Sequence, residues 1–178
     1  MFKLFYNIFF GLFLVTLISC KKEEVFSITN HEPEIPVTVL NQKENFVVPT
    51  VTGSKAAGTF TIELGIPANS GRTIKEISRV VYTSSATGAA NLLKVGTFTN
   101  TAASGIYVST PIAGNGTKAT FSSSFDEFKV KTLQTAVATA VPEPTANSAL
   151  INRFFHFMIT LDDGTKIIPM GVRVLVVP

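Results

Sequence analysis

Thr59-Phe60-Thr61-Ile62-Glu63-Leu64-Gly65-Ile66 places Phe60, Ile62, Leu64 and Ile66 in strict alternation with Thr59, Thr61, Glu63 and Gly65. A period of two sends alternate side chains to opposite faces of an extended chain. The stretch therefore predicts a strand with one face in a core and one in water. Pro67-Ala68-Asn69-Ser70-Gly71 closes it with a turn. Residues 74–82 read as the next strand, followed by a loop through Thr83, Ser84, Ser85, Gly88 and Ala89. Further short strands are expected around 93–98, 105–110 and 117–121, with Asn115-Gly116 as a hairpin dipeptide because both residues tolerate positive φ. Upstream, Ile35-Pro36-Val37-Thr38-Val39-Leu40 reads as a first strand whose proline favours an edge or a strand start.

Ser124 and Glu127 have capping-box spacing and predict one short helix, with Phe125, Phe128 and Leu133 turned inward. Residues 139–147, rich in Ala, Pro and Thr, read as a loop. The chain closes with a hairpin pattern. Phe155, Phe157, Ile159 and Leu161 share one face, while Phe154, His156 and Met158 make the other face apolar enough for a central strand covered on both sides. Asp162-Asp163-Gly164-Thr165 predicts a type I′ reversal, and 166–177 returns. Pro169-Met170-Gly171 predicts a bulge or a change of sheet before Val172, Val174 and Val176. The fold class expected for 35–178 is all-β: an antiparallel β-sandwich with one short helix. Closure into a barrel stays open.

Before this domain the pattern is different. Residues 1–19 start with Lys3, continue through an apolar body over residues 4–18, and end on Leu17-Ile18-Ser19-Cys20. These are the parts of a secretory signal, and the last four residues resemble a bacterial lipobox. The resemblance implies that Cys20 is acylated and becomes the first mature residue, so that a lipid, and not the apolar helix, holds the protein to a membrane. An uncleaved transmembrane helix is the competing reading, since the run is nearly long enough to span a bilayer. Residues 20–34 read as a tether, with Lys21-Lys22-Glu23-Glu24 followed by Asn30, His31, Glu32, Pro33 and Glu34. A lysine followed by two acidic residues directly after the lipidated cysteine resembles the surface-export signal of lipoproteins in the Bacteroidota. That implies display on the outer membrane; a periplasm-facing protein is the alternative.

Composition narrows the function classes. Cys20 is the single cysteine in 178 residues, so neither a disulfide framework nor a thiolate metal site is available. The formal charge of +3 is spread along the chain, without the basic patch and interleaved aromatics of a nucleic-acid binder. The only histidines are His31, in the tether, and His156, in the strand Phe154-Phe155-His156-Phe157. Neither has the setting of a catalytic base. No Gly-x-Ser-x-Gly elbow, phosphate-binding glycine loop or His-Glu-x-x-His helix occurs. The acidic pairs Glu23-Glu24, Asp126-Glu127 and Asp162-Asp163 fit a tether, a helix start and a turn, and calcium at Asp162 and Asp163 lacks further ligands nearby. The sequence points to no enzyme, cofactor or metal.

Glycan binding rests on few residues, because sugar rings stack on flat aromatic faces and there is no tryptophan. Tyr82 at a strand end, with Tyr107, Arg79 and Asn91, forms the candidate ligand site; otherwise the tyrosines lie at the margin of a core with their hydroxyls in solvent. The whole pattern, from Cys20-Lys21-Lys22-Glu23-Glu24 to Asp162-Asp163-Gly164-Thr165, resembles the small immunoglobulin-like lipoproteins of polysaccharide-uptake systems in the Bacteroidota. The resemblance implies a lipid-anchored accessory binding or interaction module whose partners are the membrane, through its lipid, and a glycan or an outer-membrane protein. A structural or adhesin role in the envelope is the further alternative.

Overall fold

The computed structural model describes residues 35–43, 46–84, 92, 94–102, 105–140, 151 and 153–178. The chain divides into two units, Met1–Pro33 and Glu34–Pro178. The signal, Cys20 and the tether up to Glu34 fall outside the described residues. No helix among the described residues is long and apolar enough to cross a membrane.

The second unit is an all-β sandwich. One sheet contains β1 (Thr38–Val39), β2 (Thr50–Ser54), β3 (Thr59–Gly65), β7 (Lys118–Ser124) and β10 (Arg173–Val177). The other contains β4 (Ile74–Thr83), β5 (Ile106–Val108), β6 (Ile112–Ala113), β8 (Phe154–Leu161) and β9 (Lys166–Ile167). The alternation over 59–65 does what period two requires: Phe60, Ile62 and Leu64 are buried, while Thr59 and Glu63 are exposed. β3 pairs with β7 along its whole length, from Thr59↔Ser124 to Gly65↔Lys118. β4 pairs with β8 from Ile74↔Leu161 to Thr83↔Phe154.

Between the sheets the core is aromatic. Phe155 sits 5.4 Å from Phe60, 5.6 Å from Phe121 and 5.1 Å from Tyr107, ring centre to ring centre. Such tilted and edge-on pairs add about 0.5–1.5 kcal/mol each beyond the area they bury. Phe155 through Leu161 are all buried, so β8 is the doubly covered strand its sequence predicts. Its second face is roofed by Leu92, Val95 and Phe98, which pack with Val81 and Met158.

That roof corrects the strand expected over 93–98. Val95–Thr99 is helix α1. Val95 and Phe98 stand three apart, which turns both to one side of a helix, whereas a strand would divide them between two faces. Among the described residues the sandwich thus has two short α-helices, α1 and α2 (Phe125–Thr132), where one was expected, besides a 3-10 turn at Ala68–Ser70.

Strand direction also departs from the expectation in one place. β10 runs parallel to β2, Arg173↔Thr50 through Val177↔Ser54, while the other paired strands are antiparallel. β2 itself was not anticipated, because Gly53 interrupts its pattern. A Cβ there would lie 2.8 Å from the Phe125 ring and 2.8 Å from Phe60 Cβ, so the glycine makes room for the aromatic core. The expected change of sheet at Pro169-Met170-Gly171 is present: β9 belongs to the sheet of β8, and β10 to the sheet of β2.

Both reversals use glycine differently from the Asn-Gly and Asp-Gly type I′ expectation. At 162–164 the Gly164 N–H donates to Leu161 O and the Leu161 N–H to Thr165 O, with only Gly164 at positive φ. This is a three-residue loop ending in a left-handed glycine, because type I′ requires positive φ at both central residues. At 115–118 the Asn115↔Lys118 bridge puts Gly116 first in the turn, with Asn115 outside it.

The chain enters the sandwich at the Thr38↔Gly65 end. Thr83, the start of β8 and the start of α2 at Ser124↔Thr59 lie at the opposite end. Leu133, expected to face inward, is 86 % exposed and is the only non-glycine described at positive φ (54°), capping α2 in a left-handed conformation. A branched side chain strains that conformation and here gains no burial in return. Leu133→Gly should therefore raise stability by about 1 kcal/mol in urea unfolding.

Candidate functional site

Ser124 ends β7 and caps α2: its hydroxyl accepts from the Glu127 N–H at 3.0 Å. Half of the expected capping box is thus formed. The Glu127 carboxylate does not complete it, but accepts from Ser123 Oγ at 2.7 Å and pairs with Lys131 Nζ at 2.8 Å, one helical turn on. Ser123 has one proton, and giving it to the carboxylate leaves its oxygen to accept from the Tyr107 hydroxyl. Lys131 Nζ donates in turn to the Tyr107 carbonyl at 2.7 Å. β5, β7 and α2 are therefore closed into a ring: tyrosine, serine, glutamate, lysine and back to the tyrosine backbone.

Electrostatics follow from this geometry. Burial pushes the Tyr107 phenol up to about 12, with the Glu127 charge adding to the shift against the Ser123 hydrogen bond. Burial also pushes the Glu127 carboxyl up, but the hydrogen bonds from Lys131 and Ser123 outweigh it and hold it below the usual glutamate range. The phenol thus stays protonated and the carboxylate charged, which keeps every donor in the ring matched to an acceptor.

Tyr82 joins the ring from β4. Its hydroxyl donates to Lys131 O at 3.0 Å, its ring meets Tyr107 edge-on at 6.3 Å, and the Arg153 guanidinium lies 6.0 Å from its centre. The structure thus brings together Tyr82 and Tyr107. Both hydroxyls are hydrogen-bonded, that of Tyr82 at an exposed position, and Tyr107 is only 2 % exposed. Arg79 is not part of this group: it lies on the other face of β4, where its Nη1 donates to Thr99 O at 2.7 Å. Asn91, like Cys20 and Lys21, Lys22, Glu23 and Glu24, lies outside the described residues. Ser123, Glu127 and Lys131 were missed as partners of the tyrosines, although Glu127 and Lys131 stand four apart and face each other on a helix.

His156 lies in β8, 1 % exposed, with Nε2 3.1 Å from Thr83 Oγ1. A Cβ on Gly171 would stand 2.5 Å from its Cε1, so the ring packs flat on that glycine. Burial pushes the imidazole down from 6.5 to about 4. At the opposite end, Arg72 grips the 162–164 loop through Asp162 at 3.0 Å and also pairs with Asp163. The expected turn therefore has a guanidinium partner for both carboxylates. Among the described residues no group of three histidine, cysteine or carboxylate side chains converges for a metal. No known family, curated protein or solved structure matches the chain.

Two outcomes test this site. Tyr107→Phe should lose about 1 kcal/mol, and less in a Glu127→Gln background, because the ring is then already broken; urea unfolding of the four proteins measures the coupling. For His156, the unfolded chain takes up its proton near 6.5 and the folded chain only near 4, so the imidazole's contribution is full above pH 6.5 and is lost as pH falls toward 4. Unfolding midpoints across that window should drop more steeply for the wild type than for His156→Gln.

Proposed function

We propose that the chain is a non-enzymatic, lipid-anchored interaction module at a bacterial outer membrane, held by Cys20 and displayed on the cell surface. The observation that carries this reading is polarity. The described chain begins at the β1 end of the sandwich, while Tyr82, Arg153, Lys131 and α2 lie at the other. Lys21, Lys22, Glu23 and Glu24 supply the export signal in this reading, and the tether gives the domain reach.

Carbohydrate capture is the more specific alternative. It rests on Tyr82, the half-buried tyrosine, because Tyr107 is too deep to stack on a sugar ring. Arg153 beside Tyr82 adds a donor for sugar hydroxyls. Saturable polysaccharide binding that is lost in Tyr82→Ala would select this alternative over protein–protein contact.

Membrane attachment is the first test. Cys20→Ala should leave the membrane fraction or accumulate as an unprocessed precursor, since stable anchoring requires the acyl chains. Tight retention of a processed Cys20→Ala protein would sink the proposal. Protease added to intact cells should digest the wild type and spare a variant with alanine at Lys21, Lys22, Glu23 and Glu24; wild type protected in intact cells would place the domain in the periplasm.

A further inference from the structure

We propose that the outer edge of β7 is a self-association site, on which a second copy of this chain lays its own β7 antiparallel to the first. Two bonds at the ends of the β3–β7 ladder fix which groups that edge offers: Ile66 N–H donates to Thr117 O at 2.9 Å, and Phe125 N–H to Gly58 O at 2.9 Å. Residues 117 and 125 thus turn their backbone toward β3. In an antiparallel ladder 119, 121 and 123 then do the same, while 118, 120 and 122 turn theirs away. Lys118 engages Asn115 with both of its groups, N–H at 3.1 Å and C=O at 2.7 Å. Thr120 and Ser122 remain, and both are exposed. No strand or turn among the described residues meets their outward N–H and C=O groups.

Two other edges carry partners. Ile151 N–H donates to Val174 O on the side of β10 away from β2, and Lys131 Nζ donates to Tyr107 O on β5. β7 instead runs in unbroken register from Thr59↔Ser124 to Gly65↔Lys118, with no proline, bulge or inward charge of the kinds that discourage edge pairing. An edge of this form takes up an extended chain by backbone bonding. The occupant that fits best is another β7. A two-fold axis beside Phe121 puts Thr120 of each copy opposite Ser122 of the other, so that four N–H···O=C bonds match every outward group at both residues. The side chains meeting there on the exposed face are short hydroxyls, and Thr61 Oγ1 bonds Ser122 Oγ at 3.2 Å behind them. The same register sets Lys118 opposite Ser124, next to the first turn of α2, where Asp126 is exposed. Lys118 has no ion pair among the described residues. Antiparallel self-pairing brings it to an acidic partner twice and opposes no like charges, an exchange that an unrelated strand would not reproduce. The contact is smaller than a standard interface, which puts half-association at about 0.1–1 mM.

The test uses the purified full chain in detergent micelles across that range. Thr120→Cys and Ser122→Cys proteins, carrying tags of different mass, are mixed and oxidised with copper phenanthroline. Residues directly opposite in this ladder stand about 5.5 Å apart at Cα, within disulfide reach, whereas Thr120 in the two copies, or Ser122 in the two copies, lies beyond it. The mixed dimer should therefore form several-fold faster than dimers of either variant alone. Lys166→Cys should give none above the wild type, whose own lane reports any cross-link through Cys20. Lys118→Glu should weaken association roughly two- to thirtyfold, and Lys118→Glu with Asp126→Lys should restore it. In the wild type, the Thr120 and Ser122 amides should gain protection from hydrogen exchange as concentration rises, which reads the edge without any substitution. Exchange at those amides that does not change with concentration, or a mixed dimer that forms no faster than the Lys166→Cys control, overturns the proposal. Neither readout depends on acylation or surface display, so the result is separable from the fractionation experiments.

Discussion

A strand that is apolar on both faces must be covered on both faces, and β8 imposes that demand on everything around it. Phe155, Phe157, Ile159 and Leu161 require a second sheet, and the opposing sheet supplies Phe60 and Phe121 for them. Met158 and His156 require a roof on the other side, and α1 with Leu92 gives Met158 one. Burying a phenylalanine is worth about 1.5–3 kcal/mol, so leaving either face bare would forfeit much of the stability of a domain this size. The crossover at Gly171 belongs to the same demand, because the returning strand must pass close over His156 before joining the other sheet.

The polar ring of Tyr107, Ser123, Glu127 and Lys131 solves a second problem, that of ending an aromatic core at a helix start. Tyr107 brings a hydroxyl into a largely dry cluster, where an unmatched polar group is costly. Ser123 and Glu127 take it up, and Lys131 neutralises the carboxylate while tying α2 to β5. Residues that look like a ligand site when read one at a time are thus largely consumed by each other. Tyr82 keeps part of its ring at the surface, and the exposed aromatic area of the site reduces mainly to that one side chain.

Much of the fold was legible because period two is a local signal. The strands at 59–65, 74–83 and 154–161, the 162–165 reversal and the sheet change after Pro169 follow from neighbours in sequence. What escaped was decided by distant atoms. Gly53 breaks a pattern to admit Phe125, which lies far along the chain, and the parallel pairing of β2 with β10 has no local mark at all. Val95 and Phe98 suit a helix only once β8 offers a second face to cover. The site was legible in its types more than in its geometry: Tyr82 and Tyr107 do meet, whereas Arg79 differs from Tyr82 by an odd number of residues and therefore points to the other face.

The parallel join between β2 and β10 also governs the order in which the domain can be assembled. Thr50 meets Arg173 and Ser54 meets Val177, so one sheet stays short of a strand until residues 173–177 have been synthesised. Loop closure over such a separation is entropically slow, and contacts of this range lengthen folding times. A nascent chain would hold β2 with one edge unpaired, and Leu175 absent from its place beside Phe46, through most of its synthesis. Folding is thereby deferred until residues 173–177 are available, with the hydrophobic strands 154–161 and 173–177 the segments most in need of protection from aggregation in the interval.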